Sequence, residues 1–457
     1  MSDNYSNSIT KTSAVKKVLG VAIIVTLSFV IFISYITEID YTRGELELFT
    51  SFNFIVLSIV LAYTLPRGIW SISFIFFVTF GIFHAGLILA SSINAITDED
   101  ILYQISFWFH TRENTTAISL INIAFVGYAI AAIIFSKNVS LVSSNEDEDF
   151  CRRAFHIGGI GLIASIFLFL LIGFGTGAAS SYGAYLAIVS AIPIVGILFT
   201  YIYLLIGLTL VLVVVSYRKG FGIYYFVAFA IWSVIAFRIG LRGEVMFPSA
   251  VAIALIARRG KPMSGVLLAT VVTVFLIFAG IVKNARVAGD YSGHVSINPM
   301  NTVAELGSSL RAVKEVITWR LGGDELLMGA SYWAPIERQV ALILPQIERL
   351  PAQKDDRLLN VKVIKVVGPI GFSLVAEAYI NFGEIGVLIS AFLFALVFSR
   401  CDNKTSNLRT DVYIGVALVP IFVMIRNSFA HVPIQVILGF VLASMLLFLA
   451  KKKKKRY

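Results

Sequence analysis

"FRIGLRGEVMFP", residues 237–248, joins two apolar runs in a very apolar chain. The run before it, centred near Phe229, and the run after it, near Ala252, both read as membrane helices. The stretch between them is short, yet it carries Arg238 and Arg242, with Glu244 close behind. A membrane hairpin of this size has no structural need for two guanidinium groups. Which side of the membrane they occupy, and what they hold there, decides how the rest is read.

Apolar runs of this kind recur from end to end. The chain has 457 residues, 58% hydrophobic and only 14% charged. A soluble protein could not cover that much apolar surface with polar side chains. A β-barrel is excluded, because its strands would alternate apolar and polar residues. The expected fold is an all-α polytopic membrane protein of about 12 transmembrane helices. Their centres fall near Val25, Leu57, Thr79, Val126, Ser165, Leu204, Phe229, Ala252, Val274, Ala391, Leu418 and Val441. Spans 1–9 with short loops occupy residues 1–283, and one large loop subdomain occupies 284–369. An amphipathic segment and spans 10–12 fill 370–450, and 451–457 is a basic tail. "GFGTGAASSYGAYLAIVSAIP", starting at Gly173, is too broken by Gly and Ser for a span and reads as re-entrant or interface-lying. No internal repeat is visible.

Charge sets the orientation. One set of loops carries Lys16, Lys17, Arg67, Lys137, Arg152, Arg153, Arg218, Lys219, Arg258, Arg259, Lys261, Arg400, Lys404, Arg409 and the terminal lysines. By the positive-inside rule this set is cytoplasmic, with both termini. The same bias accounts for the net charge of +10 without nucleic acid. The polar N-terminus reads as a cytoplasmic tail before an uncleaved helix. Cys151 and Cys401 fall in loops on the cytoplasmic side, where no disulfide is expected.

In this topology Arg238 and Arg242 sit on the outward side, where arginine is disfavoured. Arg286 begins the large loop, just after Lys283; Arg426 lies near the outer end of the eleventh span, with His431 beyond it. Arg311, Arg320 and Arg338 lie within the loop. Any one of these could snorkel to lipid phosphates. As a set, Arg238, Arg242 and Arg286 suit a pyrophosphate, because a guanidinium binds phosphate oxygens through two parallel N–H donors. The loop segment "NTVAELGSSLRAVKEVITW" has helical periodicity, with Val303, Leu306, Leu310, Val313 and Ile317 on one face.

Other motifs are weaker. Glu38 with Asp40, and Asp98 with Asp100, have acid-x-acid spacing, but such pairs are common in acidic loops. "EDED", Glu146–Asp149, reads as a solvated charge run. The five histidines show no metal-pair spacing, and no metal or cofactor is expected. One carboxylate stands out in "GPIGFSLVAEAYINFGEIGVLIS": Glu377, in an apolar, small-residue segment just before the tenth span. Such a group is costly at a membrane boundary unless paired or used. It is an exposed carboxylate on an interface-lying helix, one half of a salt bridge to a loop arginine, or a general base. Tyr379, Asp290 and Glu244 are further candidates.

Three stretches, "FRIGLRGEVMFPSAVAIALIARRGK", "FAGIVKNARVAGD" and "GPIGFSLVAEAYINFGEIGV", make the chain resemble the Wzy-type O-antigen polysaccharide polymerases of bacterial inner membranes. The resemblance implies a metal-independent, GT-C-like glycosyltransferase, related in architecture to the O-antigen ligases. It implies lipid-linked glycan substrates on undecaprenyl pyrophosphate, a periplasmic site and a Wzz-type chain-length regulator as partner. Arg238 and Arg242 match the family's hairpin arginines, and Arg286 matches its loop arginine. The ligases use a histidine near the end of the large loop; this chain offers Glu377 there, which favours a polymerase. In the reaction so implied, an acceptor hydroxyl attacks the donor's anomeric carbon with inversion, and undecaprenyl pyrophosphate leaves. A ligase shares the donor and differs in acceptor. A transporter or flippase would show inverted repeats and ionisable groups at mid-membrane, and neither is visible.

Overall fold

Local signals set where the helices begin. In this computed structural model Thr42 and Glu45 form a reciprocal capping box that opens α2 (Arg43–Thr64). Ser71 caps α3 (Ile72–Ser92), and the Asp402 carboxylate accepts from the Ile72 and Ser73 amides at 2.9 and 3.0 Å. These donors have no partner within their own helix, so a carboxylate from a distant segment satisfies them.

The structure describes residues 14–28, 42–96, 106–137, 146–260, 262, 264–270, 272–274, 276–277, 299–341, 344, 346 and 350–451. The described residues are helical or irregular, without strands. With α1 at 14–28, and besides the short helical stretches Ser106–Phe109 and the described residues of 265–277, the helices are α4 (Arg112–Phe135), α5 (Glu148–Gly175), α6 (Tyr182–Ala191), α7 (Pro193–Ser216), α8 (Tyr224–Ile239) and α9 (Arg242–Arg258). They continue with α10 (Pro299–Leu306), α11 (Leu310–Leu321), α12 (Ala330–Val340), α13 (Leu359–Val366), α14 (Leu374–Asp402), α15 (Leu408–Val423) and α16 (Val432–Ala450).

Among the described residues, seven helices are long and apolar enough to cross a membrane. Large apolar side chains face outward on them, such as Phe167 at 64% exposure, as lipid contact requires. Three expected spans are shorter: α8, α9 and α15 have 16, 17 and 16 residues. The left-handed Gly240 (φ 103°) ends α8. The spans expected around Val25 and Val274 run into residues outside the described set. The Gly/Ser-rich segment after α5 holds the ten-residue helix α6, which packs on α7.

The chain forms two compact units. Unit one comprises Met1–Val139, Asn298–Lys404 and Met424–His431; unit two comprises Ser140–Ile297, Thr405–Val423 and Val432–Tyr457. In unit one, α4 packs along α14, and α2 packs against α3 and α4. Side chains tie α2 to α4: Asn53 donates to Asn122 at 2.8 Å, and Asn122 donates to the Thr50 hydroxyl at 2.8 Å. Such bonds act between helices where there is no water to compete. The helices α10 and α11 of the large loop pack on α3 and α4, and all five apolar residues of their expected face are buried. Two glycines allow the approach. A Cβ on Gly307 would lie 2.0 Å from the Leu87 nitrogen, and one on Gly86 would lie 2.3 Å from the Val303 carbonyl oxygen.

In unit two, α7 is central, packed by α5, α9 and α15. One end is held by ions. Arg258 donates to Asp411 at 2.5 Å with both side chains fully buried. Arg259 and Arg218 both pair with Glu146, which also accepts from the Leu408 amide. For Glu146 this corrects the reading of "EDED" as a solvated run, while Asp147, Glu148 and Asp149 are exposed as that reading expects. Glu146 is only 12% exposed, because two arginines and a backbone amide from distant segments converge on it. Cys151 and Cys401 lie in the first turn of α5 and the last turn of α14, not in loops.

Candidate functional site

Glu377 lies in the first turns of α14. The segment expected ahead of the tenth span is the start of that helix, set off by a break at Gly383, whose φ of 66° and ψ of −154° suit only glycine. Ser373 caps the helix by accepting from the Val375 and Ala376 amides. The Ser373 hydroxyl is 2.7 Å from His84 Nε2, and His84 Nδ1 is 3.0 Å from the Phe80 carbonyl. Since that carbonyl can only accept, Nδ1 carries the proton and Ser373 donates to Nε2.

The Glu377 carboxylate is 1% exposed and both of its oxygens are engaged. Ser331, on α12, donates to Oε1 at 2.8 Å, and the Phe429 amide donates to Oε2 at 2.6 Å. Asn381 completes the arrangement. It donates to the Ser331 hydroxyl oxygen at 2.7 Å and accepts from the Gly329 amide at 2.9 Å. The direction of each bond is therefore set. With Asn381 donating to Ser331, the serine proton points at Glu377. Tyr332 lies near the carboxylate, and its ring meets Phe429 edge-on at 5.5 Å. A carboxylate in this setting holds together three segments far apart in sequence.

Other sequence candidates gather at the same end of α14. The Arg426 carbonyl accepts from the Phe372 amide at 2.9 Å. His431 closes the short turn Phe429–His431. Arg320 donates to the Asp324 carbonyl and lies within electrostatic reach of Tyr379. Lys362 sits 4.9 Å over the Trp319 ring and pairs with Asp324. Ser331, Asn381, Ser373 and His84 were missed from sequence, where they carry no signal.

Unit two holds the hairpin. Arg238, in the last turn of α8, is exposed, while Arg242, in the first turn of α9, is only 6% exposed. Glu244 lies within electrostatic reach of Tyr185 on α6 and Tyr203 on α7. Tyr203 is ten residues, about 15 Å, along α7 from Pro193. Geometry places the hairpin turn below that end of α7: a Cβ on Gly207, about 21 Å along α7 from Pro193, would lie 3.7 Å from Pro248, which is only about 9 Å into α9. This follows from helix length: α8 and α9 rise only about 24–26 Å, short of a hydrocarbon core of about 30 Å. Arg286 and Asp290 lie outside the described residues, as do Glu38, Asp40, Asp98 and Asp100.

The described geometry thus has two parts: a closed carboxylate network in unit one, and a recessed cationic turn in unit two. The model of the O-antigen polysaccharide polymerase Wzy family matches residues 21–455. Protein CapE of Staphylococcus aureus is 25% identical over 417 residues, covering 88% of this chain and 89% of that protein. No solved structure matches the chain.

Proposed function

The chain belongs to the O-antigen polysaccharide polymerase Wzy family, whose members are multi-pass membrane polysaccharide polymerases, and we propose that it joins undecaprenyl-pyrophosphate-linked oligosaccharide repeat units. The transfer takes place at the periplasmic face of a bacterial inner membrane, with both termini in the cytoplasm, twelve crossings and a GT-C-like arrangement. The observation that supports this reading most is Arg242, a nearly buried guanidinium at a recessed turn between apolar helices, with Arg238 just before it. A guanidinium placed there can present two parallel N–H donors to phosphate oxygens. Arg286 joins the two on sequence grounds.

The donor diphosphate binds these arginines. An acceptor hydroxyl attacks the anomeric carbon of the donor's reducing-end sugar. The bond from that carbon to the phosphate oxygen breaks, and the arginines take up the charge developing on undecaprenyl pyrophosphate. No metal ion is needed for this. Glu377 takes the hydroxyl proton, a role typically worth about 10²–10⁴-fold. Its Oε1 now receives the Ser331 hydroxyl, so the acceptor hydroxyl replaces that of Ser331 when it binds. A second reading of Glu377 is favoured by its two engaged oxygens: it fastens α12 and the Phe429 turn to α14 and touches no substrate. A Wzz-type partner sets chain length.

Deleting the gene and running the surface glycan on a gel tests the function. Single-unit caps without a ladder are expected. Loss of all surface glycan would point to a ligase or flippase, and an unchanged ladder would overturn the proposal.

A further inference from the structure

We infer that residues 328–333, the turn that opens α12 in the large loop, rest in the headgroup region of the bilayer leaflet on their side of the membrane, with lipid as their partner. This uses the multi-pass membrane architecture and is independent of the roles proposed for Glu377 and the arginines.

Two large apolar side chains of this turn face away from the fold: Met328 is 72% exposed and Trp333 is 59% exposed. Met328 is also strained, with φ of 47°, in the left-handed region that most side chains avoid. Water gives no reason for a methionine there. The turn is fastened to α14. The Leu327 and Met328 amides donate to the Ile380 and Asn381 carbonyls at 3.0 and 3.1 Å, and the Gly329 amide donates to the Asn381 side chain at 2.9 Å. Those carbonyls stand just before the Gly383 break, where the ladder of α14 is interrupted and outside donors are wanted. A Cβ on Gly329 would lie 3.3 Å from the Phe382 ring, and the Tyr332 ring stacks on Phe382 at 6.5 Å and 17°.

This attachment says what covers the turn. Phe382 begins an exposed apolar side of α14 that continues through Ile385, Leu388, Ile389 and Leu393. The helix is long and apolar enough to cross the membrane, so that side faces lipid. Met328 and Trp333 extend it at one end. Charge supplies the depth. Glu384 and Arg400 are both exposed, and the residues between them are uncharged. The helix rises about 24 Å from one to the other, against a hydrocarbon core of about 30 Å, and arginine can snorkel across the shortfall. Glu384 therefore marks one boundary of the core. Phe382 and the turn docked on it lie just beyond that boundary, at the headgroup level. Tryptophan and tyrosine concentrate at this level, because the ring is apolar and the N–H or O–H reaches water.

The test uses the purified full-length protein in nanodiscs of phosphatidylcholine whose acyl chains carry bromine, either near the headgroup or near the chain end. Bromine quenches a tryptophan only when the two are close. Subtracting the emission of the Trp333→Phe variant from that of the wild type isolates Trp333, and the exchange keeps an aromatic ring at an exposed position. Trp333 should lose most of its emission in the lipid brominated near the headgroup and clearly less in the lipid brominated near the chain end. Phe382→Trp, made in the Trp333→Phe background, reports the end of the lipid-facing side of α14 and should be quenched as well. Trp333 emission that survives both lipids overturns the inference. Surviving emission shifted to the red would leave the turn in water, and surviving emission shifted to the blue would put a second copy or another protein over it. Stronger quenching from the chain end than from the headgroup end would overturn the interfacial position. Loss of quenching at both Trp333 and Phe382→Trp would remove the lipid-facing side of α14 together with the turn.

Discussion

Glu377 in unit one and Tyr203 in unit two are both polar groups set in apolar helices, and they differ in their partners. Each carboxylate oxygen of Glu377 accepts a hydrogen bond from the protein itself. The Tyr203 hydroxyl is buried and its hydrogen bond is unmade. A group that the fold satisfies completely holds the fold together, whatever else it does. A group that the fold buries and leaves wanting is the better sign of a ligand. Sequence ranks the two in the opposite order, because an isolated glutamate attracts notice and a tyrosine in a membrane helix does not.

Glu377→Gln is the sharpest way to break this comparison and carries the largest expected effect. The glutamine carbonyl oxygen can accept from the Phe429 amide. Its NH2 group then faces Ser331, whose hydroxyl can rotate to accept. The network survives with a changed direction, so the variant should fold. Loss of the base should slow in vitro chain extension about 10²–10⁴-fold. Near-normal turnover would leave Glu377 as a fastening residue and nothing more.

Arg242→Ala comes next. Removing one preorganised donor to a developing negative charge costs about 10²–10³ in turnover. Arg242→Lys should recover part of it, since lysine keeps the charge but lacks the planar fork. The glycan ladder of a complemented deletion strain reads both. A full ladder from Arg242→Ala at normal protein level would show that the recessed turn is no more functional than the closed network.

A smaller effect, on folding, is expected at the crossing of α3 with the large loop. Gly307→Ala would place a methyl 2.0 Å from the Leu87 nitrogen, and backbone cannot yield as a side chain can. Overpacking of this kind costs about 1–3 kcal/mol. Thermal unfolding in detergent should show a lowered midpoint, while Gly323→Ala, with open space around it but φ of 103°, should show a smaller change. Equal midpoints for wild type and Gly307→Ala would mean that the loop helices sit elsewhere.

Much of the helix pattern is legible in the sequence, because long apolar runs flanked by charge have few other meanings. All twelve expected centres fall on helical residues. The buried face of α10 and α11 is legible too, since Val303, Leu306, Leu310, Val313 and Ile317 recur at helical spacing. What sequence does not carry is pairing at a distance. Ser331 and Phe429 lie 46 and 52 residues from Glu377, and nothing in their own neighbourhoods announces the contact. Tyr203 reads as one more aromatic in an apolar run. Glu146 reads as solvated because its partners, Arg218, Arg259 and Leu408, come from three other segments.

That last pairing supplies the mildest test, and it sets the two units side by side. Burial alone would raise the Glu146 carboxyl, but Arg259, the Leu408 amide and Arg218 hold it below its ordinary value of 4.5. In unit one, burial likewise opposes ionisation of Asp355, and Arg357 with Arg338 holds it below 3.8. Both groups are therefore more acidic folded than unfolded, so the folded protein binds fewer protons at acid pH. The stability they contribute is complete above the ordinary carboxylate values and is lost as pH falls through the lower, folded ones. The unfolding midpoint in detergent should hold steady from pH 7 to about 5 and fall below it. Glu146→Gln removes unit two's share and should lessen the fall; Asp355→Asn removes unit one's. A midpoint that stays level down to pH 3, or one that already drops between pH 7 and 6, would show that these ion pairs do not set the acid limit of either unit.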